Sequence, residues 1–277
     1  MTSNTTSLVR AWGRSLSRHV ERVSLHMTPC IVAHPPGGKC GALLNPANET
    51  LVGTALAYFP IGGPVPPPPP PGLTSSMWGG MEAGDGLLYH TEVIDGHVSE
   101  FGGHELRAAI EALPDHPDAQ LSRNSGDGRP RIKCPVGRAV VTPAGGSLRH
   151  NFEHIIHTVP PFFSADNWSD ELTSCYHRGL TLAAERRVTT LAIPLLGAGA
   201  RGVPAQEAVR VAVRAVSSWS WSENQELGER IDVRFAVQLD HVADLLDTAF
   251  QGICNPYGAD TGDSAGELHE RHWRELS

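Results

Sequence analysis

Asn45 and Asn48 stand at the end of a short apolar run, Ala42-Leu43-Leu44. Side-chain amides donate and accept hydrogen bonds without adding charge, which suits sugar hydroxyls such as those of ribose. Open α/β sheets bind ligands beyond the C-terminal ends of their strands, where these two amides would lie. A turn capped by asparagine is the alternative. A second segment runs Leu191-Ala192-Ile193-Pro194-Leu195-Leu196-Gly197-Ala198-Gly199-Ala200-Arg201-Gly202-Val203-Pro204. It reads as a buried strand, a loop of small residues and a helix opened by Pro204. Glycines let a backbone approach a ligand closely, and N–H groups at a helix start attract anions. A diphosphate fits that chemistry; a plain glycine turn is the alternative.

Histidines and cysteines offer less. His90, His97 and His104 recur every seven residues, but their surroundings are glycine-rich and lack a matching set of thiolates or carboxylates, so no metal site is expected. His150 and His154 have helical spacing, yet His154-Ile155-Ile156-His157 reads as strand, with His157 a core histidine. The cysteines are Cys30, Cys40, Cys134, Cys175 and Cys254, an odd number with no CxxC pair. Reduced thiols in an intracellular compartment follow, with Cys175 and Cys254 read as buried and without a catalytic partner. No cofactor is expected.

The elements that must position these groups alternate. Residues 8–23 predict a helix, because Leu8, Trp12, Leu16 and Val20 recur every fourth position with Arg10, Arg14, Arg18 and Arg22 on the opposite face. Ile31-Val32-Ala33 and Ala42-Leu43-Leu44 predict buried strands. Helices are expected over 105–113, stopped by Pro114, then over 168–187, 205–219 and 240–251. Strands are expected at 138–142, 154–159, 191–193 and 231–237. Strands alternating with helices of this length indicate a three-layer α/β domain.

The 277 residues carry 22 basic and 30 acidic side chains, a formal charge of −8. That balance opposes a protein that holds bulk nucleic acid on a basic surface. No apolar run spans a membrane, and no secretory signal is visible. Residues 1–40 nevertheless hold Arg10, Arg14, Arg18, Arg22 and Lys39 against Glu21 alone. Residues 1–28 therefore read as a basic amphipathic leader, either a transit peptide or an accessory helix, and both cytosol/nucleus and mitochondrion fit. The main domain is expected over 29–254, with an insertion at about 54–93 and a polar tail from 255 to 277. The insertion contains the unbroken run Pro66–Pro71, which suits surface polyproline II, as a loop spacer or as a ligand for SH3 or WW domains.

In their order along the chain these segments resemble the macrodomain family, most closely its MacroD-type mono-ADP-ribosyl hydrolases. Asn45-Pro46-Ala47-Asn48-Glu49-Thr50-Leu51-Val52-Gly53 resembles the family's N-A-A-N-x-x-L-x-G. Ile94-Asp95-Gly96-His97-Val98-Ser99-Glu100-Phe101-Gly102-Gly103-His104-Glu105-Leu106 resembles V-D-G-A-I-H-R-A-A-G-P-E-L. Cys134 to Thr142 resembles C-x-T-G-x-A-x-x-T, Ile155 to Val159 resembles V-I-H-T-V, and Leu172 to Ala184 resembles L-x-x-C-Y-x-x-x-L-x-L-A. The sequence departs in three places. Ala33-His34-Pro35-Pro36 has no acid where the family's G-D-I-T binds adenine. Arg201 replaces an aromatic residue. The insertion brings rival acids, Glu82 and Asp85.

The resemblance implies an α/β/α macrodomain with a mixed, mostly parallel sheet and a long Pro/Gly-rich insertion. It implies a hydrolase that removes mono-ADP-ribose from acidic side chains and deacetylates O-acetyl-ADP-ribose; the alternative is a reader that binds ADP-ribose without cleaving it. Its partners would be ADP-ribose and mono-ADP-ribosylated proteins. Asn45 and Asn48 would orient the distal ribose, and Asp95 together with the substrate diphosphate would position or deprotonate a water. Asp95 is preferred to Glu82 or Asp85 because its match continues into the following helix. Ala47, Gly53, Gly96 and the loop Leu196, Gly197, Ala198, Gly199, Ala200, Arg201 and Gly202 would line the ligand, with His34 and Gln238 on the adenine side.

Overall fold

Seven strands and four helices are seen in a computed structural model, which describes residues 6–12, 20–52, 93–116, 132–220 and 230–254. Gly53, the acids Glu82 and Asp85, His90, the Pro66–Pro71 run and the tail from 255 lie outside the described residues. The strands are β1 Ser7–Trp12, β2 Val20–Met27, β3 Cys40–Pro46, β4 Ala139–Pro143, β5 Phe152–Thr158, β6 Thr190–Ile193 and β7 Ile231–Val237. The helices are α1 Ile94–Glu111, α2 Trp168–Glu185, α3 Ala205–Ser218 and α4 Asp240–Cys254. A 3-10 turn covers Gly146–His150. The sheet order is β1-β2-β7-β6-β3-β5-β4, with β1 and β4 antiparallel to their neighbours and the five central strands mutually parallel.

Strand residues alternate between the two faces, as a two-residue repeat requires. Leu43, Ile155, Ala192 and Ala236 share one apolar cluster with Val98, Leu106 and Ile110 of α1. Ala42, Leu44, Ile156, Leu191, Ile193 and Phe235 point the other way, into a core completed by α2, α3 and α4. Helices on both faces of a mixed sheet make the expected three layers.

Two local expectations are overturned. Residues 8–23 do not form one helix: 7–12 and 20–27 are strands of the sheet. Trp12 and Val20 are buried, but on separate strands. Trp12 stacks on Phe250 with ring centroids 4.8 Å apart, while Val23 and Leu25 of β2 enter the core beside β7. Two of the arginines are anchored within the domain: Arg10 pairs with Asp247, and Arg22 grips Asp232 through two hydrogen bonds of 3.2 and 2.9 Å. Ile31-Val32-Ala33 is likewise a turn and not a strand, with Ile31 and Val32 buried in the apolar cluster that also holds Leu43 and Ala236. Asn151 fastens it by donating to the Val32 and Ala33 carbonyls.

Helix α1 starts eleven residues earlier than its apolar spacing suggests, and a kink at Gly103 interrupts it. The kinked part packs on Gly146, where a Cβ would lie 2.3 Å from the Phe101 carbonyl oxygen, so only glycine permits the approach. Helix α2 ends with Val188 N–H on the Ala183 carbonyl and Arg187 in the left-handed region at φ 55°. Glycine adopts that conformation without the strain arginine carries. Arg187→Gly is expected to raise stability by about 0.5–1 kcal/mol, measured by urea unfolding; a loss of stability would show that the arginine side chain holds the helix end.

Candidate functional site

Because the five central strands are parallel, their C-terminal ends share one rim. In order across it lie the segment after β2 (28–39), the segment after β7, the Gly197 loop after β6, the 47–52 turn after β3 and the 159–167 segment after β5. His34 and Gln238 occupy the β2–β7 end. Gln238 Nε2 donates to the Pro29 carbonyl at 2.6 Å, and the His34 carbonyl accepts from Thr28 Oγ1 at 2.9 Å and Thr6 Oγ1 at 3.0 Å. Asn45, Ala47 and Asn48 follow three strands away.

Asp95 and Gly96 enter in the first turn of α1, where a carboxylate is favoured by the helix dipole. Both are buried, and Asp95 Oδ1 accepts from Asn45 Nδ2 at 2.9 Å. The structure thus brings Asp95 to the end of β3 although fifty positions separate it from Asn45. Asn48 is held from within its turn: Thr50 Oγ1 donates to Asn48 Oδ1 at 2.9 Å, and Leu51 N–H to the Asn48 carbonyl at 3.1 Å. Leu51 closes this turn at φ 59° while its side chain is buried. An apolar residue in the left-handed region stores roughly 1 kcal/mol of strain or more, which burial offsets.

The Gly197 loop turns at a left-handed glycine (φ 81°) and is closed by Val203 N–H on the Gly197 carbonyl and Gly202 N–H on the Gly199 carbonyl. Those two closing bonds draw their N–H groups from Gly202 and Val203 and hold the loop as a tight turn at the rim. Leu196 serves differently: its side chain is in the core and its N–H donates to Tyr176 Oη at 2.9 Å. Tyr176 is fully buried, so Tyr176→Phe leaves that N–H unpaired. We expect a loss of about 1–2 kcal/mol in urea unfolding; unchanged stability would mean that the loop finds another acceptor.

Arg201 is buried, and its side chain turns inward across the rim. Its guanidinium lies 4.5 Å from the Phe162 ring centroid, with Nη2 3.5 Å from the Ala47 carbonyl and 4.0 Å from Glu49 Oε2. Its carbonyl accepts from Phe163 N–H at 2.9 Å. Burial pulls the guanidinium below its usual pKa, opposed by Glu49, the Cys175 thiol and Asp95. Arg201 therefore ties three rim segments together. Glu49 and Phe162 were not singled out by sequence. The adjacency of Glu49 to Asn48 was the available signal for the first; Phe162 gave none.

His157 and Thr142 were also missed. His157 is a core residue as expected, but its Nδ1 meets Asn45 Nδ2 at 3.3 Å and its Nε2 meets Thr142 Oγ1 at 3.0 Å. Burial pushes its pKa down to about 4, so the ring is neutral. Burial raises the thiols of Cys40, Cys134 and Cys175 to about 11, 12 and 11, and these cysteines are unbridged. At neutral pH none of the three supplies a thiolate nucleophile. Among the described residues no cluster of His, Cys, Asp and Glu is arranged to hold a metal, and no helix is long and apolar enough to cross a membrane.

A macro domain-containing protein of Caldanaerobacter subterraneus subsp. tengcongensis is 34% identical over 162 residues, covering 58% of this chain and 80% of that relative. The chain belongs to the macro domain family. The family model described as Macro domain matches residues 82–212, which include Asp95, His157 and the Gly197 loop. A macro domain-containing protein of Streptomyces griseus is 38% identical over 124 residues, covering 44% of this chain and 62% of its own. The solved Oceanobacillus iheyensis macrodomain with MES bound shares the macro domain fold at TM-score 0.54 and 16% identity, covering 87% of this chain and 96% of that one. The Trypanosoma brucei macrodomain in complex with ADP-ribose matches at TM-score 0.52 and 16% identity, covering 85% and 70%.

Proposed function

We propose that this macro domain binds ADP-ribose along the rim and hydrolyses mono-ADP-ribosyl esters of acidic side chains, as MacroD-type enzymes do. The observation that carries this reading is the Asn45–Asp95 hydrogen bond, which sets a buried carboxylate beside the Asn45 amide at the strand end. The spacing of the rim supports it. From β2 to β3 is three strand spacings, roughly 14 Å, a span suited to two riboses joined by a diphosphate. Adenosine lies by His34 and Gln238, the diphosphate on the N–H groups of the Gly197 loop, and the distal ribose by Asn45 and Asn48. The macrodomains of Oceanobacillus iheyensis with ADP and of Trypanosoma brucei with ADP-ribose are consistent with that ligand class.

In the reaction, water attacks C1 of the distal ribose, the C1–O bond to the protein ester breaks, and the side chain leaves as a carboxylate. Asp95 takes the proton from water. Asn45 and Asn48 fix the ribose so that water and C1 meet in reacting geometry. O-acetyl-ADP-ribose places an acetyl ester in the same site. The test is release of ADP-ribose from a protein mono-ADP-ribosylated on Glu or Asp. Tight ADP-ribose binding by calorimetry with no release would leave a reader, and absence of binding would remove both readings.

A further inference from the structure

Asp95 imposes a chain of requirements on the residues behind it. Its carboxylate only accepts, so the Asn45 amide atom 2.9 Å from Oδ1 is the nitrogen. That Nδ2 also lies 3.3 Å from His157 Nδ1. With one Nδ2 proton on Asp95 and the other on the ring, Nδ1 must offer a lone pair. The single proton of the neutral imidazole is then on Nε2, which donates to Thr142 Oγ1 at 3.0 Å. The opposite tautomer would set two donors against each other at Nδ1. Flipping the amide would set its oxygen against the carboxylate. Asn45 is left with one uncommitted atom: Oδ1 is buried and has no hydrogen-bond partner among the described residues. A buried acceptor without a donor is a costly arrangement that a ligand hydroxyl relieves.

We propose that Thr142 and His157 form a tautomer lock, acting as positioning residues that hold Asn45 so that Oδ1 accepts from a hydroxyl of the distal ribose. This rests on the ADP-ribose reading of the rim. Thr142→Val removes the acceptor of Nε2–H at nearly constant volume, which frees the ring to move its proton to Nδ1 and displace the Asn45 amide. Thr142→Ser keeps the hydroxyl. ADP lacks the distal ribose and so does not use Asn45.

The test uses the full chain and two readouts. NMR of the histidine ring nitrogens should show His157 neutral and protonated at Nε2 in the wild type and in Thr142→Ser. Calorimetry should show ADP-ribose binding about tenfold weaker in Thr142→Val, ADP binding unchanged within about twofold, and Thr142→Ser close to wild type. A wild-type ring protonated at Nδ1 overturns the lock and needs no variant to fold. Equal losses for ADP and ADP-ribose, or no loss for either, overturn it as well. A wild type that binds ADP but not ADP-ribose, or neither, sinks the ligand reading and the role of Oδ1 with it, while the ring tautomer still decides how Asn45 is held.

Discussion

Asp95→Ala is expected to cut the rate of ADP-ribose release by roughly 10²- to 10⁴-fold, the usual contribution of a positioned acid or base. The affinity for free ADP-ribose should change far less, because in the proposed pose the diphosphate and adenosine ends are held by other segments of the rim. The effect then falls mainly on kcat, with a smaller rise in KM because Asn45 loses the acceptor that holds its amide. Asp95→Asn separates two roles. Its side-chain oxygen still accepts from Asn45 Nδ2, so the amide stays in place, but it no longer takes a proton from water. If Asp95 acts as the base, both variants are slow; if it mainly holds Asn45, Asp95→Asn retains most of the rate. Undiminished turnover by Asp95→Ala would remove the assignment and move attention to Glu82 and Asp85.

How legible the site was from sequence depended on whether its groups were local. The Gly197 loop was readable because strand, small residues and helix-opening proline follow one another directly, and the structure keeps them so. Helices α2, α3 and α4 were readable within a few residues because their apolar faces run for several turns. Helix α1 was only half visible: Gly96, Gly102 and Gly103 lower helix propensity, and it is packing of Val98 against Leu43 and Ile155 that holds the first turns. The 8–23 segment misled because a four-residue spacing of large apolar groups looks helical when strand partners are unknown. Its partner β7 lies some two hundred residues downstream. The pairings Asn45–Asp95, His157–Thr142 and Arg201–Glu49 are likewise products of sheet order, which no local pattern encodes.

Arg201→Ala is expected to be the most destabilising of the rim substitutions, by about 3–5 kcal/mol, because it removes a buried cation that lies beside the Glu49 carboxylate, the Ala47 carbonyl and the Phe162 ring. Glu49 shares the burial of Arg201, and the turn that carries it also accepts Lys133 N–H and Cys134 N–H at its carbonyl. Losing the guanidinium therefore loosens the 47–52 turn, the Phe162 segment and the Gly197 loop together. Glu49→Gln should cost less, since the amide stays polar while the guanidinium keeps the Ala47 carbonyl and the Phe162 ring. In a double-mutant cycle built on Arg201→Ala and Glu49→Ala, the pair should cost less than the sum of the single changes, because each single change already removes the attraction the two charges share. An additive cycle would mean that the two groups do not sense each other across 4.0 Å. The same cycle measured on diphosphate affinity separates a clamp from a phosphate ligand. If Arg201 met the diphosphate directly, its loss would weaken ADP binding whether or not Glu49 is present. As a clamp whose charge is already engaged by Glu49, it should weaken ADP binding only insofar as the loop loosens, and the double variant should recover part of that affinity.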